Sequence, residues 1–199
     1  MKKWKISLAI GVIAAALIAN VGSFAAGCEE IRSNVLRVHI IANSDSPADQ
    51  EIKLLIRDRI LSETGELFYN AESKEDAKEK ISDRLHEIEE IARAVLRENG
   101  REDIVSAQVV RMFFETREYD GFTMPAGYYD AVRITVGEAA GQNWWCVIYP
   151  SLCLPAAGEG SKLSDVLSPR AAEIAEKKPQ YEVRFAIVEA FEKIKNFFS

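Results

Sequence analysis

Two tryptophans, two cysteines and a Tyr-Pro pair crowd into Gly141–Cys153, GQNWWCVIYPSLC, where residues that can do chemistry are densest. Cys146 and Cys153 have two readings. In an oxidising compartment they close a short disulfide loop, a link that stabilises a fold by on the order of 2 to 3 kcal/mol through the unfolded chain. Otherwise they are two buried thiols in a small apolar segment. A third chemistry needs a base: His39 could activate Cys146 as a nucleophile, with Asn43 or Asp45 orienting the imidazole. Nothing in the spacing supports that pair, and a lone histidine in an apolar strand is more often packed than catalytic. His86, set mid-helix among charges, reads as a surface residue.

The run Asn43-Ser44-Asp45 with Asp49 offers oxygen ligands of the kind a hard cation prefers, yet its spacing fits no twelve-residue calcium loop. Helix capping by Ser46 and Asp49 accounts for it better. No glycine-rich loop opens a helix to cradle phosphate, and no Cys-His spacing suits zinc. Neither a metal nor a cofactor is expected, and the chain reads as a binding or signalling domain without an active site. Trp144 and Trp145 are adjacent, so a strand turns them to opposite faces. One belongs to the core; the other is either covered by the C-terminal helices or presented to a partner, as tryptophan often is at interfaces. Asn43, Asp45, Trp144 and Trp145 are the residues assigned to partner contact.

The elements that must hold these residues are set by periodicity. Val35–Ala42 alternates Leu36, Val38 and Ile40 against Arg37, His39 and Ile41, a strand with one well-buried face. Ser46-Pro47 with Asp49 starts a helix whose apolar side is Ile52, Leu55, Ile56 and Ile60, with Lys53 and Arg57 to Arg59 in water and Gly65 as the stop. Ser73 with Asp76 caps a second, longer helix that carries an apolar stripe from Ile81 through Leu96 to Asn99-Gly100. Strands come next over Ser106–Thr116, Tyr128–Gly137 and Trp144–Tyr149, separated by turns at Tyr119-Asp120-Gly121 and Pro125-Ala126-Gly127. The order β-α-α-β-β-β predicts an α+β fold, a mixed or antiparallel sheet with two helices on one face. After Pro155 comes a linker, then helical patterns only: a short helix within Ser164–Lys177 and a stripe of Val183, Ile187, Phe191, Ile194 and Phe198. That last helix docks on the sheet domain, pairs with a copy of itself or lies on a membrane.

The 199 residues, 48% apolar and 28% charged, suit one packed domain with attachments. Residues 1–27 stand apart, with Lys2, Lys3 and Lys5, an apolar run and then small residues, as in a signal peptide. Cleavage after Ala25, an uncleaved membrane anchor and lipid attachment at Cys28 all remain open, and each of the three exports residues 29 onward. The domain boundaries are therefore 1–27 for the signal or anchor, 29–155 for the α+β domain and 156–199 for the linker and C-terminal helices. The chain carries a formal charge of −6, and the exported part, without those lysines, is more acidic still. Such a surface repels phosphate backbones, so nucleic acid is excluded as a partner class.

Three stretches, LRVHIIANSDSPADQEIKLLIRD at 36–58, MPAGYYDAVRITVGE at 124–138 and GQNWWCVIYPSLC at 141–153, resemble the stage II sporulation protein R family of endospore-forming Firmicutes. Ala139-Ala140 departs from that pattern, and nothing after Pro155 carries a family motif. The resemblance implies a protein exported from the forespore into the space between the two membranes. There it would activate a membrane-embedded aspartic protease of the mother cell, stage II sporulation protein GA, which processes the sigma-E precursor. The competing expectation is an extracytoplasmic thiol or cell-wall-modifying enzyme that uses Cys146 and His39.

Overall fold

A computed structural model of the chain describes residues 2–152, 162–176 and 182–197. In chain order its elements are helix α1 (Lys2–Asn34), strand β1 (Leu36–Ile41), helices α2 (Pro47–Tyr69), α3 (Lys74–Ser82) and α4 (Leu85–Glu98), and strand β2 (Val105–Phe114). Then come strands β3 (Arg117–Tyr119), β4 (Phe122–Met124), β5 (Gly127–Val136) and β6 (Asn143–Tyr149), and helices α5 (Pro169–Ala175) and α6 (Glu182–Phe197). The fold is α+β. It divides into two compact units, one of Asn34–Phe113 with Tyr128–Val166, the other of Met1–Ser33, Phe114–Gly127 and Leu167–Ser199. These units do not coincide with the sequence boundaries at 27 and 155, because each gathers segments that are distant along the chain.

The first unit is built on a four-stranded sheet of order β2-β5-β1-β6. Strand β1 runs parallel to β5 and antiparallel to β6, so the sheet is mixed. A parallel neighbour requires a long crossover, and α2, α3, α4 and β2 supply it. Helices α2 and α3 pack on β1, and α4 packs on α2. The helix-side residues are Leu36, Val38 and Ile40 of β1, matched in register by Asp130, Val132 and Ile134 of β5 and by Trp144 and Cys146 of β6.

Four expectations change here. Strand β1 is buried on both faces along its whole length, Arg37 included, whose guanidinium is covered by the buried Tyr129 ring at 4.9 Å. The second helix is two helices, interrupted at Asp83-Arg84, where the Asp83 amide still donates to Glu79 but the Arg84 amide donates to Ile81, only three residues back, so the helical ladder tightens and ends. Helix α2 continues through the buried Gly65. On that helix Lys53 is buried while Leu55 is 41% exposed, because the Lys53 ammonium turns inward to donate to the Gln50 side chain and, at 2.9 Å, to the Gln142 carbonyl. The caps at Ser46 and Ser73 form as expected, each hydroxyl accepting the amide three residues on.

Inside this unit lies a buried ion pair. Lys74 of α3 donates to Asp130 of β5 at 2.8 Å, both side chains under a tenth exposed, and Lys78 adds a second cation at 3.2 Å. Burial alone would raise the Asp130 carboxyl, but the Lys74 and Lys78 ammoniums outweigh it and hold it below the usual carboxylate range.

The second unit begins with α1. Its early residues Trp4, Ile6, Leu8, Ile10 and Val12 are exposed, and among the described residues no helix is long and apolar enough to cross a membrane. From Phe24 onward the same helix is packed. Phe24 meets Phe185 of α6 edge-on at 5.3 Å, Ile31 is buried, and burial pushes the Cys28 thiol up to about 12. Arg32 donates to Glu29 and to the Ala126 carbonyl and faces Glu192 of α6 at 3.7 Å, while Glu30 accepts from Ser168, the cap of α5. Strands β3 and β4 form a hairpin closed at Asp120-Gly121, where the turn falls as expected and the two flanking strands are additional to it. On α6, Phe191 and Ile194 of the expected stripe are exposed; Val183, Ile187 and Phe198 lie outside the described side chains.

Asp130→Asn should lower stability by about 3–5 kcal/mol, because it leaves the buried Lys74 with only the exposed Glu75, at 3.2 Å, as a counter-charge. The pH dependence has its origin in the same depressed carboxyl: its contribution is full above the unfolded value of about 4 and is lost as pH falls through the lower folded value. Urea unfolding of both proteins between neutral and acidic pH should therefore show a shallower acid decline in Asp130→Asn.

Candidate functional site

Where β1 ends, the chain makes a polar corner of Asn43, Ser44, Asp45 and the first turn of α2. Asp49 is its centre. Its carboxylate accepts from Asn43 Nδ2 at 3.1 Å, from the Ser44 hydroxyl and from the Arg101 guanidinium, and Arg101 is itself held by Asp103. The Ser44 hydroxyl, opposed by burial and seconded by Arg101 and Asn43, holds the Asp49 carboxyl well below its ordinary range. The corner also grips the loop between β5 and β6. Asn43 Oδ1 accepts the Glu138 amide at 2.9 Å, Asp45 Oδ1 accepts the Gln142 amide at 2.7 Å, and the Ala140 and Gly141 amides donate to the carbonyls of Asn43 and Ala42.

Two glycines make this grip feasible. Gly137 has a positive φ of 57°, and a side chain there would overlap the Asn43 amide; at Gly141 a side chain would overlap the Ser44 carbonyl. Asn43 and Asp45, assigned to partner contact from sequence, each use one side-chain oxygen to fix the loop that leads into β6, and Asp45 stays exposed. Among the described residues no His, Cys, Asp or Glu group is arranged to hold a metal ion.

Strand β6 carries the remaining assigned residues. Trp144 lies opposite Ile40 and Trp145 opposite His39, so the two rings occupy opposite faces of the sheet. Both are half-buried, and neither is a fully enclosed core residue. The Arg57 guanidinium of α2 stands 5.2 Å over the Trp144 ring, and the His39 ring lies 5.7 Å from that of Trp145. His39 Nε2 shares a 2.7 Å hydrogen bond with Asn143 Oδ1. Burial pushes the His39 pKa down against that bond, and Arg133 and Arg37 push the same way, so the ring is neutral at pH 7. Cys146 is buried opposite Val38, on the face away from His39. The alternation of the strand therefore separates the two groups that a thiol nucleophile and its base would need to bring together. Cys153 lies outside the described residues.

The chain matches the family Stage II sporulation protein R over residues 32–158, from the last turn of α1 through β6. It belongs to that family. It is 37% identical over 123 residues to Stage II sporulation protein R of Bacillus subtilis (strain 168), a match covering 62% of this chain and 55% of the relative, so the chain spans little more than half of that protein. No solved structure matches it. Family membership gives the chain a role in sporulation. The matched region contains the whole corner, both tryptophans and Cys146, and stops short of α5 and α6.

Several residues that build this site were not evident from sequence. Lys53 and Arg57 looked like solvated charges, because helical spacing marks which side a residue takes but not whether a distant carbonyl or ring waits there, and Arg101, past the end of α4, carried no pattern that singled it out. Gly137 and Gly141 carried a weak signal, since a glycine at each end of a short loop can mark close backbone approach.

Asn43→Ala should cost about 1–2 kcal/mol by removing the acceptor of the exposed Glu138 amide and one donor to the buried Asp49 carboxylate. Gly141→Ala should cost a similar amount, about 1–3 kcal/mol, because the group it meets is backbone and cannot swing aside. Chemical denaturation checks both; a neutral result for both would mean that the corner does not hold the β5–β6 loop.

Proposed function

We propose that this protein is an exported signal of endospore formation that activates the membrane-embedded aspartic protease processing the sigma-E precursor, stage II sporulation protein GA. The observation that carries the reading is the family match across the sheet unit, including the stretch that leads into Cys153. Export is supported by the N-terminal order of lysines, apolar run and small residues, and by the exposed apolar side chains of early α1. In this reading the protein is made in the forespore, crosses into the space between the two membranes, and acts there by contact and without catalysis. The opposite facing of His39 and Cys146 favours contact over thiol chemistry.

Within this reading Trp144 and Trp145 meet the protease, and the Asn43–Asp49 corner sets the strand that presents them. A Cys146–Cys153 disulfide belongs to the same proposal, supported by the bonded state of the Cys146 sulfur and by the oxidising surroundings that export implies. An anionic surface, formal charge −6 for the whole chain, agrees with a soluble extracytoplasmic ligand that avoids nucleic acid.

The test is processing of the sigma-E precursor in non-sporulating cells that express the GA protease together with this protein, with and without residues 1–27. Cleavage is expected only when the segment is present, and Trp144→Ala or Trp145→Ala should abolish it while the protein still melts cooperatively. Absence of cleavage from a folded, exported wild-type protein would reject the proposal.

A further inference from the structure

Strand β2 is the edge of the sheet opposite β6. Along β2 the even residues turn their backbone groups inward: the carbonyl of Ile104, just before the strand, accepts the Gly137 amide just after β5, and the Ser106 carbonyl accepts from the Thr135 hydroxyl of β5. Odd residues therefore point their amides and carbonyls outward. The first of these are closed off. Glu89 of α4 accepts the Ala107 amide at 2.9 Å, and Arg93 donates to the Val105 carbonyl at 3.3 Å. Farther along, the outward groups of Val109, Arg111 and Phe113 have no hydrogen-bond partner among the described residues.

Natural sheets blunt such an edge with proline, charge or a covering element. This one is blunted for half its length and left open for the rest. The open half is apolar on both faces, with Val109, Val110, Met112 and Phe113 all partly exposed, and it carries one charge, the exposed Arg111. Arg111 forms no ion pair among the described residues, and Asp130 on the neighbouring strand is held by Lys74 and Lys78.

We propose that Val109–Phe113 is a docking edge for an extended segment of a partner protein, a strand with apolar residues flanking a carboxylate that pairs with Arg111. A second copy of this chain fits poorly. A two-fold antiparallel pairing centred on Arg111 sets two arginines opposite each other, one centred on Val109 brings Arg111 against Ala107, whose amide Glu89 already holds, and one centred on Phe113 runs past the end of the strand and sets Arg111 against Glu115, which Lys193 already pairs. The edge lies across the sheet from the tryptophans of β6, so it is a surface separate from the one assigned above.

The test uses hydrogen exchange on the full-length chain with a capped heptapeptide of alternating threonine and valine around a central glutamate, and with its central-lysine counterpart. In the free protein the Val109, Arg111 and Phe113 amides should exchange fast and those of Gln108, Val110 and Met112 slowly. The glutamate peptide should slow the first set by at least about tenfold, and the lysine peptide should not. Val109→Pro removes one outward donor without breaking the ladder to β5, and it should abolish the protection while the thermal melt stays cooperative; Arg111→Glu should reverse the peptide preference. Outward amides already protected in the free chain, no protection by the glutamate peptide, or equal protection by both peptides would each overturn the proposal.

Discussion

Strand β1 is bonded to a strand on either side, and the rest of the first unit depends on that. With β5 parallel on one flank and β6 antiparallel on the other, its six residues have their faces assigned twice over. A slip of one residue would exchange Leu36, Val38 and Ile40 for Arg37, His39 and Ile41 against the helices, so register is strongly specified. The parallel partner also dictates the topology: the chain must leave the end of β1, cross over through three helices and an edge strand, and return on β5. That departure point is where the Asn43–Asp49 corner lies.

The corner shows how such a sheet end is kept in place. Polar side chains just past a central strand would be costly unless their partners were supplied, and here each is supplied from elsewhere in the chain: Arg101 for Asp49, the Glu138 amide for Asn43, the Gln142 amide for Asp45. The same groups that finish β1 therefore start β6, and β6 bears the tryptophans. A signalling surface on β6 would be rigid for that reason, since its strand is tied at its first residues to a capped helix and a buried carboxylate. Rigidity of this kind lowers the ordering cost of binding.

Much of the architecture was legible along the chain. The two serine caps, the strand positions, the turn before Phe122 and the α+β order are local properties, set by side-chain period and capping chemistry within a few residues. The helix interruption at Asp83-Arg84 was not, because the apolar stripe from Ile81 to Leu96 persists across it and conceals a change of direction. Nor was the burial of Lys53, Lys74 and Arg37. A long side chain with a charged tip looks the same in sequence whether it reaches water, a carbonyl, a carboxylate or a ring.

What the sequence determined by itself was the main helices and the strands of the four-stranded sheet, the family, and the residues clustered around β6, since these depend on residue type and spacing. Tertiary structure alone decided which of them meet. It turned Asn43 and Asp45 into internal ties, placed His39 and Cys146 on opposite faces, and left the two tryptophans half-buried on either side of one strand. It also closed half of β2 with Glu89 and Arg93 while leaving Val109–Phe113 open. Those outcomes depend on strand order and register, and pairing between segments a hundred residues apart has no signature in the local pattern of either one.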